Sequence, residues 1–201
     1  MNRLTPFALR ALHRLLVWLA VAFVLAPMLL MVAVAFNRAD YFSFPLEGFS
    51  LRWFEAMLDN SEYRGSIVQS LKLAAVSTVL SLAIALPAAM RLRKGGSKLV
   101  ETVLLAPLFF PLVIWSLGLL QLYGMLGLSG SFLSLALAHT VMITPFLLRI
   151  VVQSLRETNV RLEEAAHSLG AGHWTTFRRV TLPLIVPGLL VGAVFGLLMS
   201  F

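Results

Sequence analysis

The chain has 201 residues, 59% of them hydrophobic and only 12% charged, against about 45–50% apolar and about 25% charged in ordinary soluble domains. These proportions exclude a soluble globular enzyme and define an integral membrane protein. The formal charge of +7 would suit nucleic acid on a soluble domain, but the basic residues sit in short loops between apolar runs and describe topology instead.

Arg3, Arg10 and Arg14 precede an uncharged run, Leu15 to Phe36, which at ~1.5 Å per residue covers a hydrocarbon core of roughly 30 Å. The basic start, the apolar run and Ala33-Val34-Ala35 imitate a cleavable signal peptide. Signal h-regions span about 7–15 residues, however, and this run is of full crossing length, so a retained first span at 15–36 is expected. Residues 37–66 form a polar segment containing both aspartates, Asp40 and Asp59. An intramembrane aspartyl or di-carboxylate enzyme therefore has no support.

A second span is predicted at 67–90, with Lys72 near enough to one end to snorkel. The loop after it carries Arg91, Arg93, Lys94 and Lys98. Its Lys94-Gly95-Gly96-Ser97-Lys98 is glycine-rich but lacks the order and spacing of a phosphate loop, so ATP is not bound there. Thr102 to Leu148 then contains no Asp, Glu, Lys or Arg. It is too long for one helix and is interrupted by GMLGLSGS at 124–131, which divides it into spans at 102–123 and 132–152. His139 lies deep in the second of these, where an interhelical hydrogen bond is favoured over a proton relay. His13, His139, His167 and His173 form no i, i+4 pair, and with no cysteine in the chain a metal site is not expected.

The fifth span is predicted at 182–201. The chain ends inside this run, and a sixth helix is expected beyond it. Gly188, Gly192 and Gly196 recur every fourth residue along it, and Ser77, Ser81 and Ala85 give the second span a similar small stripe; both are helix-packing faces. Prolines 27, 87, 107, 111, 145 and 187 fall within spans, where bent helices are tolerated.

Orientation follows from lysine and arginine in the short segments. Those before the first span, those of 91–98 and Arg149, Arg156, Arg161, Arg178 and Arg179 mark one side, against Arg38, Arg52 and Arg64 on the other. The N-terminus, the 91–98 loop and the segment between the fourth and fifth spans are thus expected to be cytoplasmic, with 37–66 outside.

That last segment contains EEAAHSLGAGHWTTFRRVTLP, residues 163–183. Leu162, Ala165, Ala166 and Leu169 fall at i, i+3, i+4 and i+7, giving one apolar face to a short helix. Asn159 is placed to cap it, and Glu163 and Glu164 lie near its positive end. Gly170 and Gly172 allow the left-handed geometry of a helix stop. A second short helix from about His173 brings Trp174 and Phe177 together. The product is a cytoplasmic hairpin at 159–180 joined to the last span at Pro183. A lipid-lying helix would want a longer basic face, and a DNA-reading helix-turn-helix would be pinned to a membrane; a docking element fits best.

Glu164-Ala165-Ala166, three residues, Gly170, nine residues, then Val180-Thr181-Leu182-Pro183 resembles the EAA signature of ABC importer permeases, with valine in place of the usual isoleucine. The resemblance implies an all-α, polytopic transmembrane bundle of the type I ABC importer permease fold, forming one permease domain over 1–201. It implies that Glu163, Glu164, Ala165, Ala166, Gly170, Leu182 and Pro183 couple the chain to a separate cytoplasmic dimer of ATP-binding subunits. ATP and Mg would sit on that partner, with no cofactor and no catalysis on this chain. A second, non-identical permease and a periplasmic or lipid-anchored substrate-binding protein are the other implied partners, in the bacterial inner membrane and its lipid, with no nucleic acid. Ala35-Phe36-Asn37 and FSFPLEGFSLRWFEAML at 42–58 resemble the first outward loop of the second permease subunit of spermidine/putrescine importers and their close relatives for opines, phosphonates and ferric iron, which implies polyamine or a related small charged solute. The alternative is a secondary transporter or channel without an ATPase, which would more naturally carry charged residues in its spans.

Overall fold

The computed structural model describes residues 4–41, 46–93, 95 and 98–201. Arg3, Lys94, Gly96, Ser97 and the FSFP of 42–45 lie outside the described residues. The described chain is helical apart from an isolated antiparallel bridge, Asn37 with Phe49. It divides into two units, Met1–Gly65 and Ser66–Phe201.

In the first unit α1, Leu4–Ala35, begins well before the predicted span. Its end is fixed by local chemistry. Phe36 stacks on Phe49 and lies against Phe54, each at 5.1 Å. The buried Asn37 accepts from Glu47 N on Oδ1 (3.1 Å) and from Trp53 Nε1 on its carbonyl (3.1 Å). Arg52 pairs with Asp40 and lies over the Trp53 ring. The segment after α1 is therefore a built loop ending in α2, Arg52–Asp59, rather than open coil. Asn60 then caps α3, Ser61–Arg93, so this helix starts six residues before the expected boundary.

The second unit is organised on α6, Phe132–Glu157, whose Ile143, Leu147, Leu148, Val151 and Leu155 form a fully buried core with Ala85, Ala89 and Ile185. Small residues on α3 let its backbone approach α6. Ser77 Oγ donates to Ala136 O (3.2 Å) and Ser81 Oγ to Thr140 O (3.1 Å), so the small stripe is also a hydrogen-bonded seam. The last helix, α9, Leu182–Ser200, presses its glycines on the same pair: Gly188 faces Ser154 and Gly196 faces Thr78. His139 Nδ1 meets Ser200 Oγ at 2.9 Å, the interhelical bond expected of it.

The third span departs from expectation. Instead of one helix over 102–123 there are α4, Lys98–Leu105, a 3₁₀ turn, Ala106–Phe109, and α5, Leu112–Met125, with a bend of 106° at the break. Pro111 forces Phe110 into extended backbone (ψ 140°) and cannot itself donate a helical hydrogen bond, so the helix must stop and restart. Among the described residues, four helices are long and apolar enough to cross a membrane, and five if this bent pair counts as one span.

Candidate functional site

The segment between α6 and α9 is built from its caps. Thr158 is extended, its hydroxyl donates back to Leu155 O (2.7 Å), and α6 ends. Asn159 Oδ1 accepts from Arg161 N (3.0 Å) and starts α7, Val160–Ser168. Gly170, at φ +84°, stops it. Ala171 N then bonds Ala166 O (3.0 Å) and Gly170 N bonds His167 O (2.9 Å), the two-bond Schellman arrangement. The His167 ring fastens the same turn, donating from Nδ1 to Ala171 O (2.9 Å) with its edge on His173. Gly172 has φ −69° and serves as the N-cap of α8, His173–Thr176, so the left-handed geometry expected at both glycines is needed only at Gly170.

The second arm is not a free short helix. It passes through a π turn, Phe177–Thr181, directly into α9, giving one helical run from His173 to Ser200. Pro183 has no N–H for the carbonyl one turn back and its ring crowds that carbonyl. Widening the preceding turn, with Leu182 N donating to Phe177 O, relieves the conflict without breaking the helix.

The faces of α7 also differ from expectation. Of Leu162, Ala165, Ala166 and Leu169, only Ala166 is partly covered; Leu169 is 89% exposed, and Trp174 on the second arm is 70% exposed beside Phe177. Packing on the body of the unit falls instead to Glu163, whose Oε1 receives Arg93 Nη1 at 2.7 Å and Thr181 Oγ1 at 2.8 Å. Glu164, its neighbour, is exposed. At the far end of the signature Leu182 packs against the α3–α6 core and Pro183 is exposed. The two glutamates therefore have different surroundings: one faces the fold and one faces solvent. Arg93 and Thr181 were missed from sequence, because Arg93 reads as one more loop cation and Thr181 occupies a variable position of the signature.

A multi-span helical protein carrying an exposed, stiffly mounted hairpin between two spans has the architecture of a transport permease. A solved bacterial ABC transporter involved in the import of the acidic polysaccharide alginate shares it: TM-score 0.73 at 15% identity, over 100% of this chain and 72% of that one. Residues 77–201 match the family model described as binding-protein-dependent transport system inner membrane component, and the chain belongs to that family. It is 28% identical over 182 residues to the spermidine/putrescine transport system permease protein PotC of Escherichia coli (strain K12), covering 89% of this chain and 69% of that protein. The putrescine transport system permease protein PotI of the same organism is 30% identical over 192 residues (90% and 68%). The molybdenum transport system permease protein ModB of Mycobacterium tuberculosis (strain ATCC 25618 / H37Rv) is 31% identical over 175 (78% and 66%). The chain is thus a multi-pass inner-membrane permease of a bacterial ABC importer, a non-catalytic subunit that works with an ATPase and a binding protein.

Proposed function

We propose that residues 159–180 are the surface on which a cytoplasmic ATP-binding subunit docks, and that α7 and α8 convey its closure to the transmembrane helices. The observation that carries this reading is the pairing of an exposed apolar surface, Leu162, Leu169 and Trp174, with a second arm that runs unbroken into α9. Exposed apolar patches of this kind mark partner surfaces, and an unbroken helix transmits displacement. Glu164, Ala165, Ala166, Gly170, Leu182 and Pro183 then serve as contact and shape residues of the coupling element. ATP and Mg belong to the ATPase dimer, and the N-terminus and hairpin are cytoplasmic.

For cargo, the names of PotC and PotI support a polyamine or related small charged solute; on our reading a periplasmic or lipid-anchored binding protein delivers it to a cavity formed with a second, non-identical permease. Trp115 and Tyr123 on α5 line a cavity with His139 and Met142, and aromatic walls of this kind suit a cation. The test has two parts. Purified in mild detergent from its own membrane, the tagged chain is expected to bring a nucleotide-binding subunit with it, and Leu169→Glu to release that subunit; a wild-type chain that arrives without one overturns the docking reading. Calorimetric titration of the cognate binding protein with spermidine, putrescine and molybdate then assigns the cargo, and tight molybdate binding with no polyamine response overturns the polyamine assignment alone.

A further inference from the structure

We propose that Arg93, Glu163 and Thr181 form a positioning clamp. It ties the docking hairpin to the end of α3 as well as to α9, so that force applied to α7 reaches both helices. The proposal rests on the docking reading above and adds a second route of transmission to it.

The clamp joins three elements through one atom. Glu163 Oε1, in the first turn of α7, accepts from Arg93 Nη1 on the last residue of α3 (2.7 Å) and from Thr181 Oγ1 at the foot of α9 (2.8 Å). The partners are 70 and 18 residues away in sequence, so the contact is a product of the tertiary fold. The Arg93 and Glu163 side chains are only 13% and 18% exposed, and Thr181 is buried. A charge-assisted pair removed from water in this way is stiff and intolerant of losing one member. A small crevice lined by Met90, Leu155, His167, His173, Thr176 and Phe177 backs it.

A topological arginine would be satisfied by any position in the loop. Arg91, two residues earlier, is exposed and meets that description; Arg93 does not. Its second nitrogen, Nη2, is buried without a hydrogen-bond partner. In this reading Arg93 is a positioning residue that acts by holding Glu163, and through it the tilt of α7.

Three properties separate transmission from docking and from folding: retention of the ATPase, hydrolysis, and uptake per ATP in proteoliposomes holding the complete complex, binding protein and the cargo assigned by calorimetry. Arg93→Met is expected to retain the ATPase and its hydrolysis while uptake per ATP falls by at least about tenfold, since the charge-assisted bond that joins α7 to the end of α3 is lost. Arg93→Lys, which supplies one ammonium to Glu163 and removes the unmet nitrogen, is expected to stay within about threefold of wild type. The exchange Arg93→Glu with Glu163→Arg is expected to recover much of what either single change loses. If Arg93→Met does not accumulate, Arg93→Gln, which removes the charge and keeps a polar side chain outside the docking surface, carries the same expectation. Uptake per ATP unchanged in the neutral variants overturns the clamp and leaves docking intact, as does loss of the ATPase together with uptake in all variants, the lysine included. A wild-type chain that recruits no ATPase overturns both readings.

Discussion

At Gly170 the left-handed backbone, φ +84°, is what lets Ala171 and Gly170 return their N–H groups to Ala166 and His167. A side chain there is disfavoured by about 1–2 kcal/mol, more for a β-branched residue, although no atom stands within 4 Å of where its Cβ would be. Gly172 has equally open space and an ordinary φ of −69°. Gly170→Val is therefore expected to insert normally yet lose binding-protein-stimulated ATP hydrolysis in the reconstituted complex, while Gly172→Ala behaves as wild type. Equal behaviour of the two would show that backbone handedness is not what the signature glycine supplies. From sequence the two glycines were indistinguishable, because G-A-G permits a stop at either. Likewise the spacing of Leu162, Ala165, Ala166 and Leu169 identified an amphipathic helix but not which face the fold covers. Periodicity assumes that apolar residues turn inward; here the inner face is set by the bond network of Glu163, and the apolar Leu162 and Leu169 stay exposed.

Between elements, the seam of α6 with α9 is controlled by how closely two backbones approach. A Cβ added to Gly188 would lie 2.5 Å from Ser154 Cβ, whereas one added to Gly192 would meet nothing nearer than 3.7 Å. Gly188→Ala is expected to lower stability by about 1–3 kcal/mol, the usual range for overpacking. It should appear as earlier thermal unfolding in detergent, relieved by adding Ser154→Gly, with Gly192→Ala close to neutral. A Gly188→Ala protein as stable as wild type would mean that the helices separate there at no cost. The glycine repeat was plain in the sequence, but its three members are unequal, and only the facing residue on α6 or α3 tells them apart. The broken third span was legible in part. Pro107 and Pro111 were visible, yet proline is tolerated inside many membrane helices, as Pro27, Pro87, Pro145 and Pro187 are here. What distinguishes Pro111 is that Phe110 before it takes extended backbone, a local choice composition does not reveal.

For the whole molecule, the bent pair α4–α5 decides the topology by parity. If it crosses the membrane, the end of α3 and the hairpin after α6 lie on the same side, where Arg91 and Lys98 can share a compartment with Arg156, Arg161, Arg178 and Arg179. If it dips in and returns, α6 alone separates them and the hairpin's basic residues face outward, against the charge rule and away from any cytoplasmic ATPase. The Arg93–Glu163 contact gives an independent reason for the first arrangement, since the end of α3 and the hairpin touch. With no cysteine in the chain, single thiols report each position. In spheroplasts an impermeant maleimide is expected to label Ser61→Cys, before the second span, and Ser129→Cys, in the turn after α5, and to spare Lys98→Cys and Thr175→Cys until the membrane is opened; all four sites are exposed on the chain. Labelling of Thr175→Cys together with protection of Ser129→Cys would make α4–α5 a re-entrant pair. The hairpin would then lie on the wrong side to meet an ATPase.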